Sequence, residues 1–209
     1  MNQSRLRGAA HGTDVFINCP FDARFEPLYL AYIAGLAGLS LTPRCVLEVP
    51  AGGSSRLDRM FRLISSCRWS VHDLSCVTLD VRAPRVPRFN MPFELGLAAA
   101  LGMTGPHRWF ILEARAHRLQ KSMSDVNGID PLIHEGSARG VLRELTNAFG
   151  RANAQPPTAQ LEAVHRGLER AAASLKRQYR SRTIFTPAIF RRLVLAAEAL
   201  TKEFGILAT

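Results

Sequence analysis

The sequence predicts an α/β fold: a parallel sheet of about five strands with helices packed on it, followed by a C-terminal helical hairpin. Short apolar runs rich in strand formers alternate with longer stretches of helical period over residues 14–150. Helices open on prolines at Pro27 and Pro92, where the missing N–H costs nothing. A composition shift at Gln155-Pro156-Pro157 introduces two further amphipathic segments. Of the 209 residues, 47% are apolar and 21% charged, a balance that excludes a disordered chain and a disulfide-stapled miniprotein.

The elements follow in order. Residues 1–13 lack an apolar stretch and read as a flexible lead-in; 14–152 form the α/β domain and 157–209 the helical extension. Val15–Cys19 is a buried first strand closed by Pro20, and a helix runs from Pro27 through Leu39. Thr42–Val49 reads as the second strand, ended by the turn-rich loop Gly52-Gly53-Ser54-Ser55. From Arg56 to Trp69, the spacing of Leu57, Met60, Phe61, Ile64 and Cys67 predicts one apolar helix face. Ser70–Leu74 is the third strand, Met91–Gly102 the next helix and Trp109–Glu113 the fourth strand. A short helix at Ser122–Val126, a fifth strand at Pro131–His134 and a helix at Ala138–Ala152 complete the domain. In the extension, Leu161, Val164, Leu168, Leu175 and Tyr179 make one stripe. Thr186-Pro187 reads as N-cap and first residue of the last helix.

The net charge of +10 suggests an anionic partner, although it is unevenly placed: +4 over residues 1–150 and +6 over 151–209. Lys176, Arg177, Arg180, Arg182, Arg191 and Arg192 crowd the turn of the hairpin. No recognition-helix, zinc or aromatic RNA-binding pattern accompanies them, so a solvated face is favoured over nucleic-acid binding. The hairpin's apolar stripes suit closure of the cleft or a homo-oligomer interface. Cys19, Cys45, Cys67 and Cys76 show no CxxC pair and the histidines no metal spacing, so no metal site is expected and the thiols read as reduced. The longest apolar run, Leu28–Leu39, is shorter than the roughly 20 residues of a membrane span. These features predict a cytoplasmic chain without a membrane segment.

In a parallel sheet, ligands bind outside the carboxyl ends of the strands. The residues following the predicted strands are polar: Asn18, Cys19, Phe21 and Asp22 after the first, Glu48 after the second, His72, Asp73 and Ser75 after the third, then Asn90 and Glu94. Turn hydrogen bonding accounts equally well for several of these, and His72 reads as a pocket wall, a proton donor or, in the favoured reading, a strand residue packed under a helix. Glu94 stands in the otherwise apolar turn Met91-Pro92-Phe93-Glu94-Leu95-Gly96. It is either a first-turn carboxylate set against the helix dipole or a semi-buried one aimed into a cleft. Arg44, Arg56 and the Gly52–Ser55 loop suit phosphate by charge and loop character. Arg68 and Arg88 also flank the expected mouth, and Arg82, Arg85 and Arg88 form either a clamp or a solvated basic loop.

Three segments, Asn18-Cys19-Pro20-Phe21-Asp22, Ser70-Val71-His72-Asp73-Leu74-Ser75 and Asn90-Met91-Pro92-Phe93-Glu94-Leu95-Gly96, together resemble the nucleoside 2-deoxyribosyltransferase and TIR-like superfamily over roughly residues 14–135. The resemblance implies a flavodoxin-like sheet with helices on both faces and a cleft that breaks an N-glycosidic bond, with no cofactor required. By it, Glu94 attacks or stabilises the anomeric carbon, Asp73 holds the sugar or protonates the departing base, and Asn18 and Phe21 contact sugar and base. The arginines favour a phosphorylated ligand, with NAD⁺ as substrate, and the resemblance extends to anti-phage effectors. The alternatives are a nucleotide-sensing module of the same fold that does not turn over, and a basic adaptor for nucleic acid or an acidic protein. His72 departs from the small residue usual before that Asp.

Overall fold

The chain is described by a computed structural model covering residues 11–49, 55–76, 89–126, 128–150 and 155–206. Among these, five parallel strands, β1 (His11–Asn18), β2 (Thr42–Arg44), β3 (Cys67–Asp73), β4 (Arg108–Glu113) and β5 (Leu132–Ile133), lie in the order β2-β1-β3-β4-β5. This is the flavodoxin-like order. Helix α1 (Glu26–Gly38) shares one face of the sheet with α5 (Ala138–Phe149), and α6 (Thr158–Gln178) and α7 (Pro187–Glu203) pack against α1 on that side. On the other face lie α2 (Arg56–Ser66) and α3 (Asn90–Thr104), and α4 (Arg118–Ser122) follows β4. The chain leaves β1 toward β2 and leaves β3 toward β4, so the direction reverses between β1 and β3. A crevice opens there, beyond Asn18 and Asp73.

Strand alternation divides the core. Val15 and Ile17 of β1 and Val71 of β3 face α1, whereas Phe16 packs with Met60 and Ile64 of α2 and Ala98 of α3. Helix α1 is buried at every position from Tyr29 to Gly38. A helix with no polar side needs cover all round, and α5, α6 and α7 supply it where the sheet does not. The fit is close: a Cβ on Gly35 would lie 2.7 Å from Leu145 Cδ1, and one on Gly38 2.2 Å from Leu161 Cδ2.

Glu26, at the start of α1, ties down the hairpin. Its Oε2 accepts from Lys176 Nζ at 2.8 Å and its Oε1 from the Ile184 N–H at 3.1 Å. His165 Nε2 of α6 donates to Pro27 O at 3.0 Å. Thr186 Oγ1 accepts from the Ile189 N–H, capping α7 as its sequence predicts. No helix among the described residues is long and apolar enough to cross a membrane.

Several boundaries differ from expectation. Residues 11–13 belong to β1, not to a lead-in. The second strand stops at Arg44, because Glu48 Oε1 accepts from the Cys45 N–H at 3.1 Å and folds Val46–Glu48 into a 3₁₀ turn. Helix α2 ends at Ser66, and Cys67–Trp69 join β3. The buried side of α2 is Met60, Leu63 and Ile64; Leu57 is 48% and Phe61 37% exposed. The short helix runs over Arg118–Ser122, held by Arg118 bonding Glu113 and Leu74 O, with a 3₁₀ turn at Ser124–Val126. The fifth strand is only Leu132–Ile133. Residues 1–10, Gly52, Gly53, Ser54, Arg82, Arg85 and Arg88 lie outside the described residues.

Removing the Glu26 clamp strands the Ile184 N–H. Glu26→Ala is expected to lower stability by about 1–3 kcal/mol, read as a lower midpoint in urea unfolding with unchanged slope.

Candidate functional site

The crevice holds a cavity of 310 Å³, lined by Asn18, Cys19 and Phe21 from the end of β1, Arg56 from the first turn of α2, and Asn90 and Glu94 from α3. A neighbouring hollow of 280 Å³ shares Arg56, Asn90 and Glu94 and adds Leu57, Met60 and Phe93. Together they fall in the range of small-molecule sites, about 300–1,000 Å³. A larger hollow of 710 Å³ lies beside Trp69, Phe149 and Gln160, away from the strands' carboxyl ends, and no ionisable side chain among the described residues lines it.

Glu94 reaches the cavity through helix geometry. The buried positions of α3 are Met91, Glu94, Leu95 and Ala98, one stripe at 3–4 residue spacing that faces the sheet. Its position on that stripe leaves Glu94 7% exposed. No hydrogen bond among the described residues holds its oxygens, and burial pushes its pKa from 4.5 up to about 7, against the opposing pull of the Arg56 guanidinium. The carboxylate is thus buried, unclamped and open only toward the cavity. Helices α2 and α3 both begin at this mouth, and their positive ends favour an anionic ligand beside Arg56.

Phe21 is held from behind. Its ring stacks on Phe185, centroids 5.1 Å apart, and meets Tyr29 edge-on at 6.2 Å. The hairpin therefore covers α1 and braces one cavity wall through Phe185, without closing the mouth. Cys19 is buried, and desolvation raises its thiol pKa well above the ordinary value, so it meets the cavity as a neutral thiol.

Asn18 is positioned by a buried polar chain. Its Nδ2 donates to Met91 O at 3.0 Å and lies 2.8 Å from His72 Nδ1; His72 Nε2 meets Ser70 Oγ at 2.8 Å, and Ser70 Oγ meets His107 Nε2 at 2.9 Å. Burial lowers the His72 pKa to about 3, so the ring is neutral. Asn18 and His72 are register partners on β1 and β3, which puts both on the α2–α3 side.

Asp73, one residue further, points to the opposite side. Its Oδ2 accepts from Tyr32 Oη at 2.6 Å and lies 3.2 Å from His134 Nε2, and its Oδ1 accepts from the Ser75 N–H at 2.9 Å. Ser75 Oγ completes that cluster, 2.9 Å from His134 Nε2. Asp73, His72 and Ser75 therefore lie outside the cavity lining, as does Asp22, whose Oδ1 caps the next turn by accepting from the Arg24 N–H. Arg44 is paired with Asp14 and Glu48, and that pairing occupies Glu48 too. Arg68 is at the amino end of β3, 5.8 Å above the Trp69 ring, away from the mouth where its charge had suggested it.

Ser70 and His107 hold Asn18 through His72, and Tyr32 and His134 hold Asp73 on the opposite side; no sequence motif gives any of the four a role. Strand alternation groups Ser70 with His72, and the β1–β3 register adds Asn18 to them. The partners Tyr32, His107 and His134 are 37 to 59 positions away from what they hold, and no local pattern marks them. No family model, curated protein or solved structure matches this chain.

A buried carboxylate with a raised pKa weakens the fold as it ionises. The native state keeps the proton between pH 4.5 and about 7 while the unfolded chain has lost it, so stability falls across that window. Glu94→Gln removes the cost. Its melting temperature should match the parent at pH 4.5 and exceed it above pH 7, by the equivalent of up to ~3 kcal/mol. An equal or lower melting temperature at pH 8 would show that Glu94 is not desolvated.

Proposed function

We propose that this chain cleaves an N-glycosidic bond of a nucleotide, with NAD⁺ as the favoured substrate and Glu94 as the group that faces the anomeric carbon. The supporting observation is the Glu94 carboxylate itself: buried, unclamped, and opening into a crevice whose mouth is cationic at Arg56 and at two helix starts. The likeness of the three sequence segments to the deoxyribosyltransferase and TIR-like superfamily supports the same reading.

In this reading the C–N bond to the base breaks with its electron pair leaving on nitrogen. The sugar carbon becomes oxocarbenium-like and is stabilised, or bonded, by the Glu94 carboxylate. Water then supplies oxygen to that carbon and gives up its proton to the carboxylate or to solvent. Both Asp73 oxygens are occupied by Tyr32, Ser75 and His134, and among the described residues Glu94 is the only carboxylate lining the cavity. This favours a base that leaves without being protonated. Nicotinamide, a pyridinium in NAD⁺ and neutral once released, is such a base; the purine of a deoxynucleoside is not.

The test is release of nicotinamide from NAD⁺, followed by chromatography, with deoxynucleosides and nucleoside monophosphates in parallel. Because the carboxylate is the active form, turnover should rise with pH through an apparent pKa near 7. Glu94→Gln should lower it roughly 100- to 10,000-fold. Equal, negligible release by both proteins from every substrate would contradict the proposal.

A further inference from the structure

The buried chain behind Asn18 has a direction. At one end His107 Nδ1 lies 3.0 Å from Cys67 O, and at the other Asn18 Nδ2 lies 3.0 Å from Met91 O. A main-chain carbonyl only accepts, so both nitrogens are donors. Burial lowers the pKa of both imidazoles, so both are neutral. With Nδ1 of His107 protonated, its Nε2 accepts from Ser70 Oγ–H. The Ser70 oxygen then accepts from His72 Nε2–H, which leaves His72 Nδ1 to accept from Asn18. Reading from Met91 gives the same sense at every link. The two anchors agree, and they set the Asn18 carboxamide against a flip.

Both hydrogens of Asn18 Nδ2 are thereby spent inside the protein. Asn18 Oδ1 has no hydrogen bond among the described residues. It is also not enclosed: Tyr29 Oη is the one side-chain polar atom that is both enclosed and unpartnered among them. Asn18 lines the cavity, and with Nδ2 engaged twice, Oδ1 is the side-chain polar atom left for a ligand there.

We propose that the Asn18–His72–Ser70–His107 chain fixes Asn18 as a pure hydrogen-bond acceptor on the cavity wall, so that the cavity selects a ligand hydroxyl or amino hydrogen at that point and rejects an ether, carbonyl or phosphate oxygen. Identifying that group as a sugar hydroxyl next to the scissile bond rests on the glycosidic reading of Glu94; the polarity of the chain does not. Asn18 is a specificity-determining residue, and His72, Ser70 and His107 are positioning residues that act through it. A site whose one fixed acceptor faces the ligand discriminates steeply against an analogue that cannot donate, because the acceptor is left unpaired.

Two measurements test this. Long-range proton–nitrogen correlation spectra of the ¹⁵N-histidine-labelled, ligand-free chain should show His72 as the Nε2–H tautomer and His107 as the Nδ1–H tautomer, both neutral at pH 7. The opposite tautomer or an imidazolium at either position overturns the proposal whatever the activity. Calorimetric binding to Glu94→Gln then compares NAD⁺ with analogues in which each hydroxyl of the nicotinamide ribose is replaced by fluorine, which is small and cannot donate. One replacement should weaken binding at least tenfold, and Ser70→Ala, which cuts the chain between the histidines, should erase most of that discrimination. A merely structural Ser70 would lower stability and leave the discrimination intact, which overturns the positioning role. Equal binding of NAD⁺ and every fluorinated analogue overturns the acceptor claim while the glycosidic reading stands. Discrimination without nicotinamide release in the parent protein removes that reading and leaves the acceptor in place.

Discussion

A helix without a polar side is the constraint from which the rest of this architecture follows. From Tyr29 to Gly38, every residue of α1 is buried. A sheet covers one side of such a helix, so the chain must supply further cover, and α5, α6 and α7 do so. The C-terminal hairpin is part of the core, joined through Leu161, Leu168, Phe190 and Leu193 and locked at its turn by Glu26. Of its exposed arginines, Arg177, Arg191 and Arg192 lie on the helix sides left over once the apolar stripes are buried, and Arg180 and Arg182 lie in the connection between the helices. The requirement also reaches the candidate site, because Phe185 of the hairpin stacks on the Phe21 ring that lines the cavity.

The crevice owes its chemistry to the two sides of one strand. His72 and Asp73 are adjacent in sequence and the pleat sends them apart. His72 joins Asn18 and faces the cavity side, while Asp73 is drawn into a cluster with Tyr32 and His134 beneath α1. Glu94 is thus left without a second free carboxylate among the described cavity residues. Its raised pKa, the occupied Asp73 oxygens and the one-way hydrogen-bond chain behind Asn18 together describe a site that is polar yet sparing of protons.

The fold was legible wherever the signal was local. Alternating runs, Pro27 at the start of α1, the Thr186 cap and the apolar run of α1 all appear in the structure as the sequence implies. The second strand was overread because Glu48 closes a turn that apolar content alone does not reveal. The buried side of α2 is narrower than its apolar spacing implies, because Leu57 and Phe61 are apolar yet border the surface. In the site, Glu94 stands out as a charge on a buried stripe, Asn18, Cys19, Phe21 and Asn90 join it by topology, and Arg56 joins it by charge. Charge alone misleads for Arg44 and Arg68, and a strand-end position for Glu48: Arg44 and Glu48 meet each other, and Arg68 meets a tryptophan at the far end of its strand. Asp73 stands at a strand end and matches the motif, yet the β1–β3 register pairs His72 with Asn18 and leaves Asp73 on the other side.

The most direct test of the central claim is a crystal structure of Glu94→Gln grown with NAD⁺. The account predicts electron density in the crevice between β1 and β3, with the nicotinamide-ribose anomeric carbon against the side chain at position 94 and a ribose hydroxyl donating to Asn18 Oδ1. Density for the ligand elsewhere on the protein, or with a phosphate or carbonyl oxygen against Asn18, would contradict it.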